Sequence, residues 1–85
     1  GLPGVHHRLA VMTAIGRTRD NQIVVPQRDV SRRHAEITRE AAGYVLRDLD
    51  SPNGTFVNGK RISEHTLRDG DEVTIGEMVF VFQEP

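Results

Sequence analysis

The 85-residue chain contains no cysteine and no tryptophan. Without cysteine there is neither a disulfide framework nor a thiolate metal site, and a reducing compartment, the cytoplasm, is the expected location. Aromatic residues make up 5% of the chain, too few for the stacking platforms that bind single-stranded nucleic acid. No apolar run approaches the roughly 18 residues that a membrane helix needs, and no charged-then-apolar segment leads to a cleavage site. Membrane spanning and export are therefore not expected. A dominant charge is also missing: 11 Lys+Arg stand against 12 Asp+Glu, for a net charge of −1. General nucleic-acid affinity does not follow from such a balance. Capped amphipathic stretches of helix length, internal repeats and low-complexity tracts are absent as well.

The length suits one small domain and is too short for two hydrophobic cores. With 36% hydrophobic and 27% charged residues, the chain is polar yet apolar enough to fold. The near-zero net charge hides an asymmetry. Residues 1–39 carry an excess of four positive charges and residues 40–85 an excess of five negative ones. Every basic residue except Lys60 is arginine, a bias suited to a planar fork that grips an oxyanion.

Gly16, Pro26, Gly43, Asn53-Gly54, Asn58-Gly59, Gly70 and Gly76 cut the chain into runs too short for ordinary helices. That punctuation predicts an all-β sandwich or barrel. Ala35 and Ile37 alternate with Glu36 and Thr38, Tyr44 and Leu46 with Val45 and Arg47, and Val73 and Ile75 with Glu72 and Thr74. Each pattern fits a half-buried strand. Met78-Val79-Phe80-Val81-Phe82 is apolar on both phases, which predicts a central strand covered on both faces, or one whose outer face meets a loop. Phe80 and Phe82 read as core by alternation. Asn58-Gly59, between Phe56-Val57 and Lys60-Arg61-Ile62, predicts a type I′ hairpin turn. Turns are also expected at Arg68-Asp69-Gly70-Asp71 and Gly76-Glu77, and one helical turn at Ser63-Glu64-His65-Thr66.

Three pieces stand in order: Ile15-Gly16-Arg17, then Val30-Ser31-Arg32-Arg33-His34-Ala35, then Asp48-Leu49-Asp50-Ser51-Pro52-Asn53-Gly54-Thr55-Phe56-Val57-Asn58-Gly59. Each alone is weak. Together, on an all-β background and with the Leu67-x-x-Gly70-Asp71-x-Val73-x-Ile75-Gly76 tail, they resemble the forkhead-associated (FHA) domain family from about residue 7 to the end. The resemblance implies an FHA-type sandwich of two twisted antiparallel or mixed sheets. It also implies a module that binds phosphothreonine in partner proteins of Ser/Thr-kinase signalling, with no cofactor, metal or catalysis. The partner is then a phosphorylated protein, the parent chain included.

The chemistry of the pieces agrees with the resemblance. A phosphothreonine carries about −1.5 to −2 charges and three acceptor oxygens, so its receptor needs a guanidinium, a hydroxyl and free N–H groups at one point. Arg17, Ser31 and the loop around Asn53 supply those types from connections between expected strands. Residue by residue, the resemblance gives Arg17 the phosphate oxygens and Ser31 a hydroxyl and an N–H toward phosphate. Arg32 would contact peptide backbone or phosphate, and the Asn53 amide the peptide main chain. Asp29 lies in a loop that reads the peptide C-terminal to the phosphothreonine, where a carboxylate disfavours acidic residues. Pro52 departs from the family, whose members often have there a threonine with a phosphate-binding hydroxyl. Gly16, His34, Gly54, Asn58 and Gly59 resemble positions that support the binding loops.

Each residue alone also has a plainer reading. Arg17 is then a solvated strand-end arginine, Ser31 and Asn53 are turn residues and His34 is a hydrogen-bonded structural histidine. His6-His7 does not suit a metal, because strand neighbours face opposite ways. Asp48-Leu49-Asp50-Ser51 faintly resembles an aspartyl-phosphate phosphatase motif but lacks the parallel α/β sheet that chemistry needs. A Ser31-His34-Asp48 triad lacks a nucleophile elbow. The remaining alternative is a phosphate-independent interaction module on the same sandwich.

Gly1-Leu2-Pro3-Gly4 is similar to the turn that follows the family's first strand. The resemblance therefore implies that this strand is missing, and that residues 1–6 form either a mobile start or that turn. Residues 1–85 then read as one domain excised from a longer protein. His7-Arg8-Leu9-Ala10-Val11 would be an unpaired edge, leaving both a monomer and an edge-paired dimer open.

Overall fold

The computed structural model describes residues 8–84, which form nine strands and no helix. In chain order these are β1 (Met12–Gly16), β2 (Ile23–Val24), β3 (Ala35–Glu40), β4 (Gly43–Asp48), β5 (Thr55–Val57), β6 (Lys60–Ile62), β7 (Glu64–Thr66), β8 (Glu72–Ile75) and β9 (Met78–Val81). One sheet has the order β2-β1-β3-β4-β7 and the other β6-β5-β8-β9. The first is mixed, since β1 pairs with β2 in parallel (Ile15 beside Ile23) while its other ladders are antiparallel. The second is antiparallel throughout. No helix here is long and apolar enough to cross a membrane.

Burial explains why these runs are strands. Ile15, Ala35, Ile37 and Leu46 of the first sheet share one buried cluster with Val57, Val73 and Ile75 of the second. Val25 and Val30, from the connection between β2 and β3, are buried in the same cluster. Facing β-strands contribute alternate side chains to such a core. Phe82 closes one end of it and meets the Tyr44 ring at 5.5 Å and 59°. Val45, expected on the outer face, is buried too, because it sits in register between Thr38 and Thr66 on the neighbouring strands.

Several expectations are corrected. The Met78–Phe82 run is not central: β9 pairs only with β8 among the described residues, and Val79 and Val81 are 53% and 56% exposed. Phe82 is core, whereas Phe80 is only partly buried against it. Residues 63–66 form no helical turn. Their backbone instead extends the β4 edge as β7, with the Asp48 N–H donating to Ser63 O at 2.9 Å and the Leu67 N–H to Tyr44 O at 2.8 Å. A strand edge offers this segment a full set of partners, which one isolated turn cannot match.

A further correction concerns the opening strand. It begins at Met12 rather than at His7, with β3 along one side from Met12 to Ile15 and β2 along the other only at Ile15 and Gly16. Val11 adds one bond to the same ladder, accepting from the Arg39 N–H at 2.8 Å. The expectations for residues 1–7, including His6-His7 and the turn at Gly1-Leu2-Pro3-Gly4, lie outside the described residues.

The hairpin turn has the expected geometry, with φ +51° at Asn58 and +83° at Gly59. β1, β4 and β2 all end at one end of the sandwich, and β3 and β5 start there. Three connections therefore gather at that end: residues 17–22, 25–34 and 49–54. The β8–β9 turn at Gly76-Glu77 joins them, because the Glu77 N–H donates to Gln27 Oε1 at 2.8 Å.

Candidate functional site

The first connection leaves β1 at Gly16, where the chains pass too closely for any side chain. A Cβ there would lie 2.1 Å from the Arg32 carbonyl oxygen. That contact brings the Arg17 and Arg32 segments together. The Arg17 N–H donates to Ser31 O at 3.0 Å, and its guanidinium reaches Arg28 O at 3.4 Å. Among the described residues no carboxylate pairs with Arg17, so most of its donors are open. Arg32 is exposed and its guanidinium has no acceptor among the described residues, whereas Arg33 pairs with Asp20 at 3.7 Å.

His34 locks the second connection to the third. Fully buried, it accepts the Ser31 N–H at Nδ1 (3.2 Å) and donates from Nε2 to Gly54 O (2.8 Å). Those partners require the ring proton on Nε2. The Ser31 N–H is thus engaged inside the protein, while its hydroxyl has no hydrogen-bond partner among the described residues. The expected N–H contribution from Ser31 is therefore not available in this arrangement.

The third connection is tied down by Asp48. Its carboxylate accepts the Ser51 and Thr55 hydroxyls and the Ser51 N–H, the last two at 2.7 and 3.0 Å. Burial pushes the Asp48 carboxyl up, but these hydrogen bonds and His34 outweigh it and hold the group below the usual carboxylate range. Ser51 in turn accepts the Gly54 N–H at 3.1 Å. Gly54 has φ +88° and Asp50 +55°, the left-handed turns that let this short loop reverse. Arg61, on β6, lies over Gly54 and donates to the Ser51 and Pro52 carbonyls at 3.2 and 3.4 Å.

Asn53 and Pro52 are exposed at the tip of this loop. Asn53 donates one amide N–H to Asp29 O at 2.7 Å, which leaves its other N–H and Oδ1 open. Asp29 itself is exposed and lines a shallow depression with Gln27, Arg28 and Glu77. Arg17, Ser31, Arg32, Asn53, Asp29 and Pro52 therefore occupy three tied loops at one end, with Gly16, His34 and Gly54 as the ties.

Asn58 and Gly59 do not belong to this group. They close the opposite end of β5, where Asn58 donates to Asp71 at 3.0 Å and accepts the Glu72 N–H at 3.0 Å. Their expected support of the binding loops is corrected: a rigid sheet separates them, and Asn58 braces the β7–β8 connection instead. Asp71 is the anchor there. The Arg68 N–H, with Asn58 and His65, holds its carboxyl below the usual range against the effect of burial. Sequence reasoning also missed Asn21, Ser51 and Arg61 as loop ties. Only Ser51, three residues after Asp48, carried a local signal, the side-chain-to-backbone turn typical of Asp. Among the described residues no group of three or more His, Asp or Glu is arranged to hold a metal.

A two-sheet sandwich that displays cationic and hydroxyl groups on tied loops at one end defines a class of protein-interaction modules. Residues 13–76 match the FHA domain model, and the chain belongs to the FHA domain family. It is 50% identical over 68 residues to the ABC transporter ATP-binding/permease protein Rv1747 of Mycobacterium tuberculosis, covering 80% of this chain and 8% of that protein. The solved structure of Mycobacterium tuberculosis EmbR in complex with a low-affinity phosphopeptide superposes with a TM-score of 0.84 at 47% identity. It covers 87% of this chain and 20% of the EmbR chain. A structure solved in a study of phosphothreonine-dependent FHA domain interactions gives 0.81 at 38% identity, covering 87% of this chain and 77% of that one. The chain thus spans only a small part of the two longer relatives.

Proposed function

We propose that residues 1–85 act as one FHA domain that reads phosphothreonine in a partner protein, downstream of a Ser/Thr kinase in the cytoplasm. The observation that carries this reading is Arg17: a guanidinium with no carboxylate partner among the described residues, fixed by its own backbone to Ser31 and beside the close Gly16–Arg32 approach. A dianionic phosphate would take the Arg17 fork and the Ser31 hydroxyl, with Arg32 adding charge. The open half of the Asn53 amide would bond the peptide main chain, and Asp29 would face residues after the phosphothreonine. The likeness to EmbR, solved in complex with a low-affinity phosphopeptide, supports phosphopeptide binding as the activity.

Catalysis is not part of the proposal. A Ser31-His34-Asp48 triad would need a free ring nitrogen on His34, and both are engaged, Nδ1 by the Ser31 N–H and Nε2 by Gly54 O. The partner is a phosphorylated protein, the parent chain included, and the domain uses no cofactor.

A pull-down from a peptide library fixed at phosphothreonine tests the reading and supplies a sequence for calorimetry. The matched phosphoserine peptide should bind about fourfold more weakly, because the threonine methyl contributes about 0.8 kcal/mol when buried and restricts χ1. Equal affinities would count against this site. Pro52→Thr should tighten binding by about fivefold, since the new hydroxyl adds one hydrogen bond worth about 1 kcal/mol. If the mutant binds more weakly, the ring of Pro52 is what shapes the loop.

A further inference from the structure

The two arginine-bearing connections are joined by a side chain that phosphate chemistry does not call for. Asn21 lies just before β2 and is 6% exposed. Its Nδ2 donates within its own connection to Thr18 O at 2.9 Å and Thr18 Oγ1 at 3.2 Å. The same nitrogen donates across to Arg32 O at 2.8 Å. The Thr18 hydroxyl adds a longer contact to that carbonyl, at 3.3 Å. Gly16 makes the approach possible, since a Cβ there would lie 2.8 Å from Asn21 Nδ2 as well as against Arg32 O.

The other half of the amide argues that this arrangement is not about stability alone. Asn21 Oδ1 is buried and takes no donor among the described residues. A buried acceptor without a donor opposes folding. A side chain that lacked this oxygen would avoid that penalty, but it would also lose the donor end that spans the two loops.

We propose that Asn21 is a positioning residue of the binding site: it pins the Arg32 segment to the Arg17 segment, so that the two guanidinium groups converge on one oxyanion. This rests on the phosphopeptide reading given above. Asn21 itself touches no ligand. Its loss lets the two loops separate while the sheets stay paired.

The test compares Asn21→Ala with Asn58→Ala, whose carboxamide ties a connection at the opposite end. Three quantities are measured: melting temperature, calorimetric Kd for a phosphothreonine peptide from the library pull-down, and backbone 15N relaxation without peptide. Both variants should melt earlier. Only Asn21→Ala should lose affinity, by roughly tenfold, the lower end of what an outer-shell hydrogen bond is worth at a metal site. Residues 17–20 and 31–33 should loosen together in that variant.

Wild-type affinity in Asn21→Ala, or an equal loss in Asn58→Ala, would overturn the proposal. If Asn21→Ala does not fold, Asn21→Asp carries the test. It keeps the shape but turns an oxygen toward two carbonyls, and unchanged affinity there would also overturn the proposal. If the wild-type domain binds no phosphopeptide, the reading of the site fails, and relaxation still decides the role of Asn21. Coupled loosening of both loops supports it, and loosening of one alone overturns it.

Discussion

Arg17→Ala should lower phosphothreonine-peptide affinity by about a hundredfold and leave the fold almost untouched. A charge-assisted hydrogen bond contributes roughly 1.5–3 kcal/mol, and a two-pronged bond to a dianion belongs at the upper end of that range. The fold loses little, because the bond that anchors this position runs from the Arg17 backbone N–H to Ser31 O and survives the substitution. Among the described residues the side chain itself makes one long hydrogen bond, to Arg28 O. Surface changes of this kind stay within about 0.5 kcal/mol. Calorimetry and thermal melting check both halves. An affinity loss below about fivefold would remove Arg17 from the phosphate site.

His34→Ala acts on the fold and the site together. The ring is fully buried and bridges Ser31 N–H to Gly54 O, so its removal leaves a cavity and two unpaired backbone groups. Each unpaired buried group costs about 1–3 kcal/mol, and truncating a buried ring adds to that. A loss of about 3 kcal/mol or more corresponds to a fall in melting temperature of at least about 12 °C for a domain of this size. His34→Phe separates the two causes, since it fills the volume without either hydrogen bond. It should recover part of the stability but not the phosphopeptide affinity, because the Ser31 and Gly54 loops remain uncoupled. If His34→Ala melts within a few degrees of wild type, the bridge does not hold the two loops together.

The residues proposed to contact the ligand were more legible in the sequence than those that tie their loops. Arg17, Ser31 and Asn53 announce themselves because glycine, turn residues and a Ser-x-x-His spacing mark the loops on which they sit. Strands β3 and β8 follow from a period of two, and the Asn58-Gly59 turn from the positive φ it requires. Strand β2, two residues long, and β7, three residues long, leave no such trace. They are strands only because β1 and β4 offer them partners, a tertiary effect that no local pattern encodes. Asn21 and Arg61, and the true partner of Asn58, escaped for the same reason. Each acts on a segment at least ten residues away, on Arg32, Ser51 and Asp71 respectively. The β9 run misled because its composition resembles a buried strand, whereas two of its valines are more than half exposed.

The most direct measurement is an NMR titration of the 15N-labelled domain with one peptide in two forms, phosphothreonine and unmodified threonine. Only the phosphorylated peptide should shift the spectrum, with the largest changes at residues 17, 31–33 and 53–54 and none at Asn58 or Asp71. Equal shifts from both peptides, or shifts centred away from the three loops, would contradict phosphate reading and identify an interaction module that uses another face of the sandwich.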